Sequence, residues 1–158
     1  MNTQTTTRPT AGAAKLGTVT PYLCFHGRCE EALRFYQQVL GAQITSLARF
    51  SDLPPGACEM PIEGNNVMHA AFRVGQSELF ASDGCPGEAP AGGGYSLSVA
   101  IDEPATVDAL ASQLAVGGRV DMPPDETFFA RRFAIVTDRF GVSWMLIAPA
   151  AEKAGAGA

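Results

Sequence analysis

The sequence predicts an α+β fold made of two like halves, each a strand, a helix and three further strands. Three observations predict it. The first is an internal repeat. Residues 21–44, PYLCFHGRCEEALRFYQQVLGAQI, run strand, turn, amphipathic helix, glycine, strand, and residues 95–120, YSLSVAIDEPATVDALASQLAVGGRV, run in the same order. Leu40-Gly41-Ala42-Gln43-Ile44 corresponds to Val116-Gly117-Gly118-Arg119-Val120. The second is that each half closes on two short apolar segments joined by a turn, at 67–83 and 131–147. The third is the Gly/Pro-rich stretch GCPGEAPAGGG at 84–94, which separates the halves. Two such half-modules can pair their sheets and enclose a cleft, and function is then expected in the side chains lining it.

The elements follow in order. A strand is expected over 18–25, with Pro21, Leu23 and Phe25 on one parity and His26 on the other. Gly27 turns the chain. Glu30 and Glu31 suit the positive end of a helix, and Ala32, Leu33, Phe35, Tyr36 and Leu40 form its apolar stripe. Gly41 stops it, and a strand follows over 43–50. Residues 51–66 hold Pro54, Pro55, Gly56, Pro61 and Gly64, which marks a long loop.

VMHAAFRV and SELFASD then flank Gly75-Gln76, a two-residue hairpin turn. That turn sets Val74 opposite Ser77, Arg73 opposite Glu78, Ala71 opposite Phe80 and His69 opposite Ser82. Met68, Ala70, Phe72, Val74, Leu79 and Ala81 form an apolar face for the helices. His69, Ala71, Arg73, Glu78, Phe80 and Ser82 form a mixed face suited to a ligand cleft, with Arg73 and Glu78 as a cross-strand ion pair. The second half opens with a strand over 95–101. Its helix runs from Pro104 to about Val116, with proline well placed in the first turn, and Gly117-Gly118 ends it. Strands are expected over 119–122, 131–137 and 142–147. A loop from Pro123 to Ala130 and the turn Asp138-Arg139-Phe140-Gly141 join them.

Composition narrows the function classes. The chain has 158 residues, enough for one domain of two intimate halves, and 46% of them are hydrophobic. Net charge is −5 with no basic run, so no nucleic-acid footprint is present. No stretch has the length of a membrane span. Residues 1–16 and 150–158 are expected to be flexible tails around a folded unit at 17–149, divided into modules 17–83 and 94–149. A cytoplasmic location is the expectation. No pair among Cys24, Cys29, Cys58 and Cys85 has CxxC spacing, so reduced, structural thiols are expected. Cys24 is placed mid-strand as a small buried side chain. Cys29 is placed at a helix start, which can lower a thiol pKa.

The segments FYQQVLGA, MHAAFRVG and DRFGVSWML resemble the vicinal oxygen chelate superfamily, which includes glyoxalase I, bleomycin-resistance proteins and extradiol dioxygenases. Within it the chain most resembles the PhnB-like group, over residues 17–149. The resemblance implies two βαβββ modules forming a curved mixed sheet around a cleft, the glyoxalase/bleomycin-resistance fold, in a protein that commonly forms homodimers. Metal-dependent relatives hold a divalent ion through His, Glu and Gln on four cleft strands. By that resemblance the four positions fall on Pro21, Phe80, Ser96 and Met145, which are poor donors, so no metal cofactor is expected. Some PhnB-like sequences carry a ubiquinone-pathway methyltransferase label. This chain lacks the Gly-rich turn and the length that S-adenosylmethionine chemistry needs.

The expected function is therefore metal-free binding of a small molecule. The ligand-binding candidates are His69, Glu78, Phe80, Ser82, Ser96, Ser98, Met145 and Arg131. Leu23 and Phe25 are expected to add apolar contact. His69 is also the candidate catalytic residue, because imidazole titrates near neutrality; a hydrogen-bonded structural histidine is the competing reading. An enzyme of lyase, isomerase or dioxygenase type, using His69 or an atypical metal site with Glu78, is the alternative. Arg131 and Arg132 could hold an anionic group or be a solvated pair, and Phe128 and Phe129 could line the cleft mouth or a dimer contact. Trp144 is expected in the core, on the parity opposite to Met145.

Overall fold

The computed structural model describes residues 16–56, 63–84 and 94–151. The element order is β1 (Tyr22–Cys24), α1 (Cys29–Leu40), β2 (Gln43–Arg49), β3 (Val67–Val74), β4 (Ser77–Ser82), β5 (Leu97–Ala100), α2 (Pro104–Leu114), β6 (Arg119–Asp125), β7 (Ala130–Thr137) and β8 (Ser143–Pro149). Each half is βαβββ, as the repeat predicts. The strands form two four-stranded sheets of matching order, β1-β4-β3-β2 and β5-β8-β7-β6. In each, the first strand runs parallel to the last and the other pairings are antiparallel. The expected tails and the 84–94 linker lie largely outside the described residues. No helix among the described residues is long and apolar enough to cross a membrane.

Helix α1 begins with Glu30 and Glu31 in its first turn but has no side-chain cap of its own. A distant carboxylate takes that part. Buried Asp83 accepts the N–H groups of Gly27 (2.7 Å), Cys29 (2.9 Å) and Val67 (2.9 Å), tying the helix start to both ends of the β3–β4 hairpin. Gly41 ends the helix in the left-handed region at φ 66°, its N–H donating to the Tyr36 carbonyl. Helix α2 starts with Pro104 in its first turn. Beyond it, Gly118 passes so close to β7 that a Cβ there would sit 2.1 Å from the Thr137 carbonyl oxygen.

The core lies between the sheets, not inside a barrel. Tyr36 of α1 stacks on Phe72 of β3, rings 13° from parallel, and meets Trp144 of β8 edge-on at 5.5 Å. Its hydroxyl donates to Asp138 at 2.6 Å. Helix α1 therefore packs against the inner faces of both sheets, α2 contacts α1 and the second sheet, and the two outer faces turn away from each other within one chain.

Several expectations change. The β3–β4 register matches from Ala70 opposite Ala81 to Val74 opposite Ser77, but Arg73 and Glu78 form no ion pair among the described residues. Met68 falls at a β2–β3 irregularity, and Val67 takes the core position instead. On β1 the parity is reversed. Leu23 and Phe25 are core residues, while Tyr22 and Cys24 are on the outer face. The reason is hydrophobic: Leu23 in the strand and Phe25 just beyond it leave water by covering α1. Strand β6 runs on through Pro123 and Pro124 where a loop was expected. An edge strand tolerates prolines because one side of its backbone needs no partner. Cys24 is exposed and disulfide-bonded, contrary to the reduced, buried thiol expected.

Candidate functional site

The outer face of the first sheet carries a cluster of rings. Reading across it, Tyr22 stands beside Phe80, Phe80 beside Ala71 and Ala71 beside Ser46. His69, one row on, packs its imidazole 4.9 Å from Phe80 and 5.8 Å from Tyr22, and Tyr22 lies 6.3 Å from Phe80. The three rings sit on three adjacent strands because β1 is parallel to β4 and β4 antiparallel to β3. The His69 imidazole makes no hydrogen bond to a described residue. Glu78, Arg73 and Gln43 form the row nearest the β3–β4 turn.

The outer face of the second sheet is graded. Its middle row is Ser98, Met145, Ile135 and Met122, one from each strand. Toward the β7–β8 turn the row is hydroxylic. Ser96 and Ser143 share a 2.7 Å hydrogen bond, and Thr137 donates to Asp121 at 2.5 Å, which also accepts from Arg119 Nε at 2.7 Å. Toward the other end the row is Ala100, Ile147, the buried Phe133 and Asp125.

The sequence candidates separate accordingly. His69 and Phe80 come together, joined by Tyr22, which the reversed parity had hidden. Ser96, Ser98 and Met145 share the other outer face, so no single chain brings them to His69. Ser82 is 2% exposed; its hydroxyl donates to the Met68 carbonyl and accepts the Gly84 N–H, each at 2.8 Å, so it is committed to the fold. Arg131 spends its guanidinium on the carbonyls of Pro149 (2.9 Å) and Asp102 (2.7 Å). Arg132 pairs with Asp108 at 2.6 Å on the helix side. Glu78 lies on β4 beyond Phe80 and does not join His69, so the His69–Glu78 metal site is not assembled. His26 is in the turn before α1 at φ 49°. Trp144 is in the core and donates Nε1–H to Asp138.

The donor set does not fit a divalent ion. Phe80 has no donor, Ser96 is bonded to Ser143, Met145 offers only a soft thioether, and Pro21 contributes its carbonyl to the Phe80 N–H. Cys24 shares the outer face of β1 with Tyr22, but its sulfur is in a disulfide and cannot act as a thiolate. Among the described residues, no group of three or more His, Cys, Asp or Glu side chains is placed to hold a metal. Cys29 is inert as well: burial first, then Asp83 and Glu30, push its thiol up to about 12.

A groove of about 600 Å³ lies between Glu30, Arg34, Phe35 and Val39 of α1 and Val116 and Arg139 of the second module. Its charges are already used. Glu30 pairs with Arg34 and Arg49, and Arg139 lies 4.4 Å over the Phe35 ring while donating to the Val116 carbonyl. It is a seam between modules. The sequence reading missed both carboxylate hubs, Asp83 and Asp138, because their partners are remote in the chain and no local pattern marks them.

The comparisons fit this geometry. The model of one protein family, 3-demethylubiquinone-9 3-methyltransferase, matches residues 17–147. The chain belongs to that family, the PhnB-like group of the vicinal oxygen chelate superfamily. Protein YjdN of Escherichia coli (strain K12) is 31% identical, covering 81% of this chain and 92% of its own. The crystal structure of protein PA1353 from Pseudomonas aeruginosa is 38% identical with a TM-score of 0.72, covering 85% of this chain and 98% of its own. The PhnB protein from Bacillus cereus is 28% identical with a TM-score of 0.70, covering 84% and 99%. A glyoxylase/bleomycin resistance protein/dioxygenase domain from Frankia sp. EAN1pec, at 16% identity and a TM-score of 0.59, shares the fold.

Proposed function

We propose that this protein binds a small molecule, without a metal, in a cleft that two copies of the chain build together. The observation that carries the reading is the pair of outer faces. Each presents side chains suited to a ligand, Tyr22 being 49% and Met122 44% exposed, yet α1 lies between the sheets and keeps the faces apart within one chain. Strands β1 and β5 are the outermost strands of their sheets, at matching ends of the two orders. A second copy would pair those edges and set one chain's first sheet against the other's second sheet, which excludes water from both apolar rows.

The reaction in the family's description is not carried over. The sheets are mostly antiparallel, and the β1–α1 turn, His26-Gly27-Arg28, holds one glycine; neither feature provides an S-adenosylmethionine site of the doubly wound kind. A second reading, an enzyme using His69 as acid or base, draws on its imidazole having no hydrogen bond to a described residue.

Equilibrium dialysis against a metabolite and antibiotic panel, with sedimentation equilibrium on the same protein, tests the proposal. A dimer and at least one ligand tighter than millimolar are expected. A monomer, or no ligand, overturns it. Metal analysis of protein purified without chelator separates the two readings, since a stoichiometric transition metal would favour catalysis.

A further inference from the structure

The side chains on the outer faces indicate what kind of molecule they take, an inference that rests on the binding reading above. On the first sheet the Tyr22, His69 and Phe80 rings meet at interplanar angles of 41°, 72° and 58°, so none of the three pairs is stacked parallel. On the second, Met145 and Met122 flank Ile135 in one row. Thioether sulfur is polarizable and favours contact with aromatic rings.

A second run of rings climbs from that floor. Phe133 contacts Phe129 at 5.1 Å, and Phe129 contacts Phe128 at 5.1 Å. Phe128 is 99% exposed at the β6–β7 tip. That tip is held in place: Thr127 N–H donates to the Ala130 carbonyl and Ala130 N–H to Thr127 Oγ1, both at 3.0 Å.

Charge is absent from the middle rows. Arg73 and Glu78 lie beside one hairpin turn, Arg119 and Asp121 beside the other, and Arg131 and Arg132 are committed elsewhere. Apart from the His69 imidazole, no side chain able to carry positive charge stands in the centre to neutralise a carboxylate or phosphate.

We infer that the ligand is a flat, uncharged aromatic or heteroaromatic molecule, held between the Tyr22–His69–Phe80 rings and the Met145–Met122 row, with Phe128 closing over it and Ser98 within reach of a polar substituent. A saturated ring of equal size fills the same space but forgoes ring–ring and sulfur–ring contact. The test compares 2-naphthol with decahydro-2-naphthol by calorimetry on the full chain. Naphthol is expected to bind about tenfold tighter. Tyr22→Leu and Phe80→Leu should bring the two affinities together, and Tyr22→Phe should keep them apart. Equal affinities, or tighter binding by 2-naphthoate than by 2-naphthol, overturn the inference and leave the binding reading standing. Failure of both naphthols while another panel member binds does the same. Failure of every panel member overturns both.

Discussion

The Tyr36 hydroxyl and the Asp138 carboxylate, 102 positions apart, meet at 2.6 Å in the buried seam between the two modules. Asp138 Oδ2 also takes the Trp144 Nε1–H, and its Oδ1 takes the N–H groups of Phe140 and Val142. One carboxylate thus satisfies donors from α1, from β8 and from its own turn. Removing it leaves Tyr36 and Trp144 without acceptors in the core. Asp138→Ala is expected to lower unfolding free energy by at least about 3 kcal/mol, and Tyr36→Phe by about 1–3 kcal/mol. Urea denaturation of both variants and of the Tyr36→Phe, Asp138→Ala double variant should reveal a coupling energy. Strict additivity would refute the link.

Alkaline pH should destabilise the fold. Burial pushes the Cys29 thiol up to about 12 from 9.0, and burial with the Asp138 charge raises the Tyr36 phenol as well. Both groups stay protonated in the folded chain after the unfolded chain has begun to ionise. Above about pH 9 the unfolded state binds fewer protons, so stability falls as pH rises, and it is fully present below that. Denaturation midpoints from pH 7 to 11 should show a plateau and then a decline, with a shallower decline in Cys29→Ala.

The two described cysteines should differ in reactivity. Cys29 is fully buried and its thiol is held neutral, so native protein at pH 8 is expected to resist iodoacetamide at that position. Cys24, being disulfide-bonded, should be alkylated only after reduction. Peptide mass spectrometry with and without dithiothreitol reads both outcomes.

Two glycines should rank by surroundings. A Cβ at Gly118 would meet the Thr137 and Asp138 backbone at 2.1–2.9 Å, whereas one at Gly75 meets nothing within 4 Å but has φ 58°. Gly75→Ala is expected to cost about 1–2 kcal/mol from conformation alone. Gly118→Ala should cost more, about 3 kcal/mol, because backbone atoms cannot yield as a side chain would. Thermal denaturation that ranked them the other way would contradict the packing around β7.

Local chemistry made much of this legible. The α1 stripe, Gly41, Gly75-Gln76 and the Pro104 start each act over a few residues, and each element falls close to where those signals place it. The first strand was harder. With only Tyr22–Cys24 paired, alternation had too few positions to decide which side was which, and α1's demand for Leu23 and Phe25 settled it. Ser82 looked like a ligand contact by its hairpin register, and Arg131 by its charge and its place near the cleft mouth of the resembling fold. Their partners, the carbonyls of Met68, Pro149 and Asp102, belong to the backbone of other segments and leave no trace in the side-chain pattern.

By itself the sequence determined a duplicated strand–helix–strand–hairpin unit, because hydrophobic period and turn chemistry are properties of neighbouring residues. Only the tertiary structure decided that both sheets turn their inner faces to α1 and their outer faces away from each other. That choice is made by Tyr36, which stacks on Phe72, meets Trp144 and reaches Asp138. Contacts between residues so distant in the chain arise from packing, and packing is not written in any local pattern.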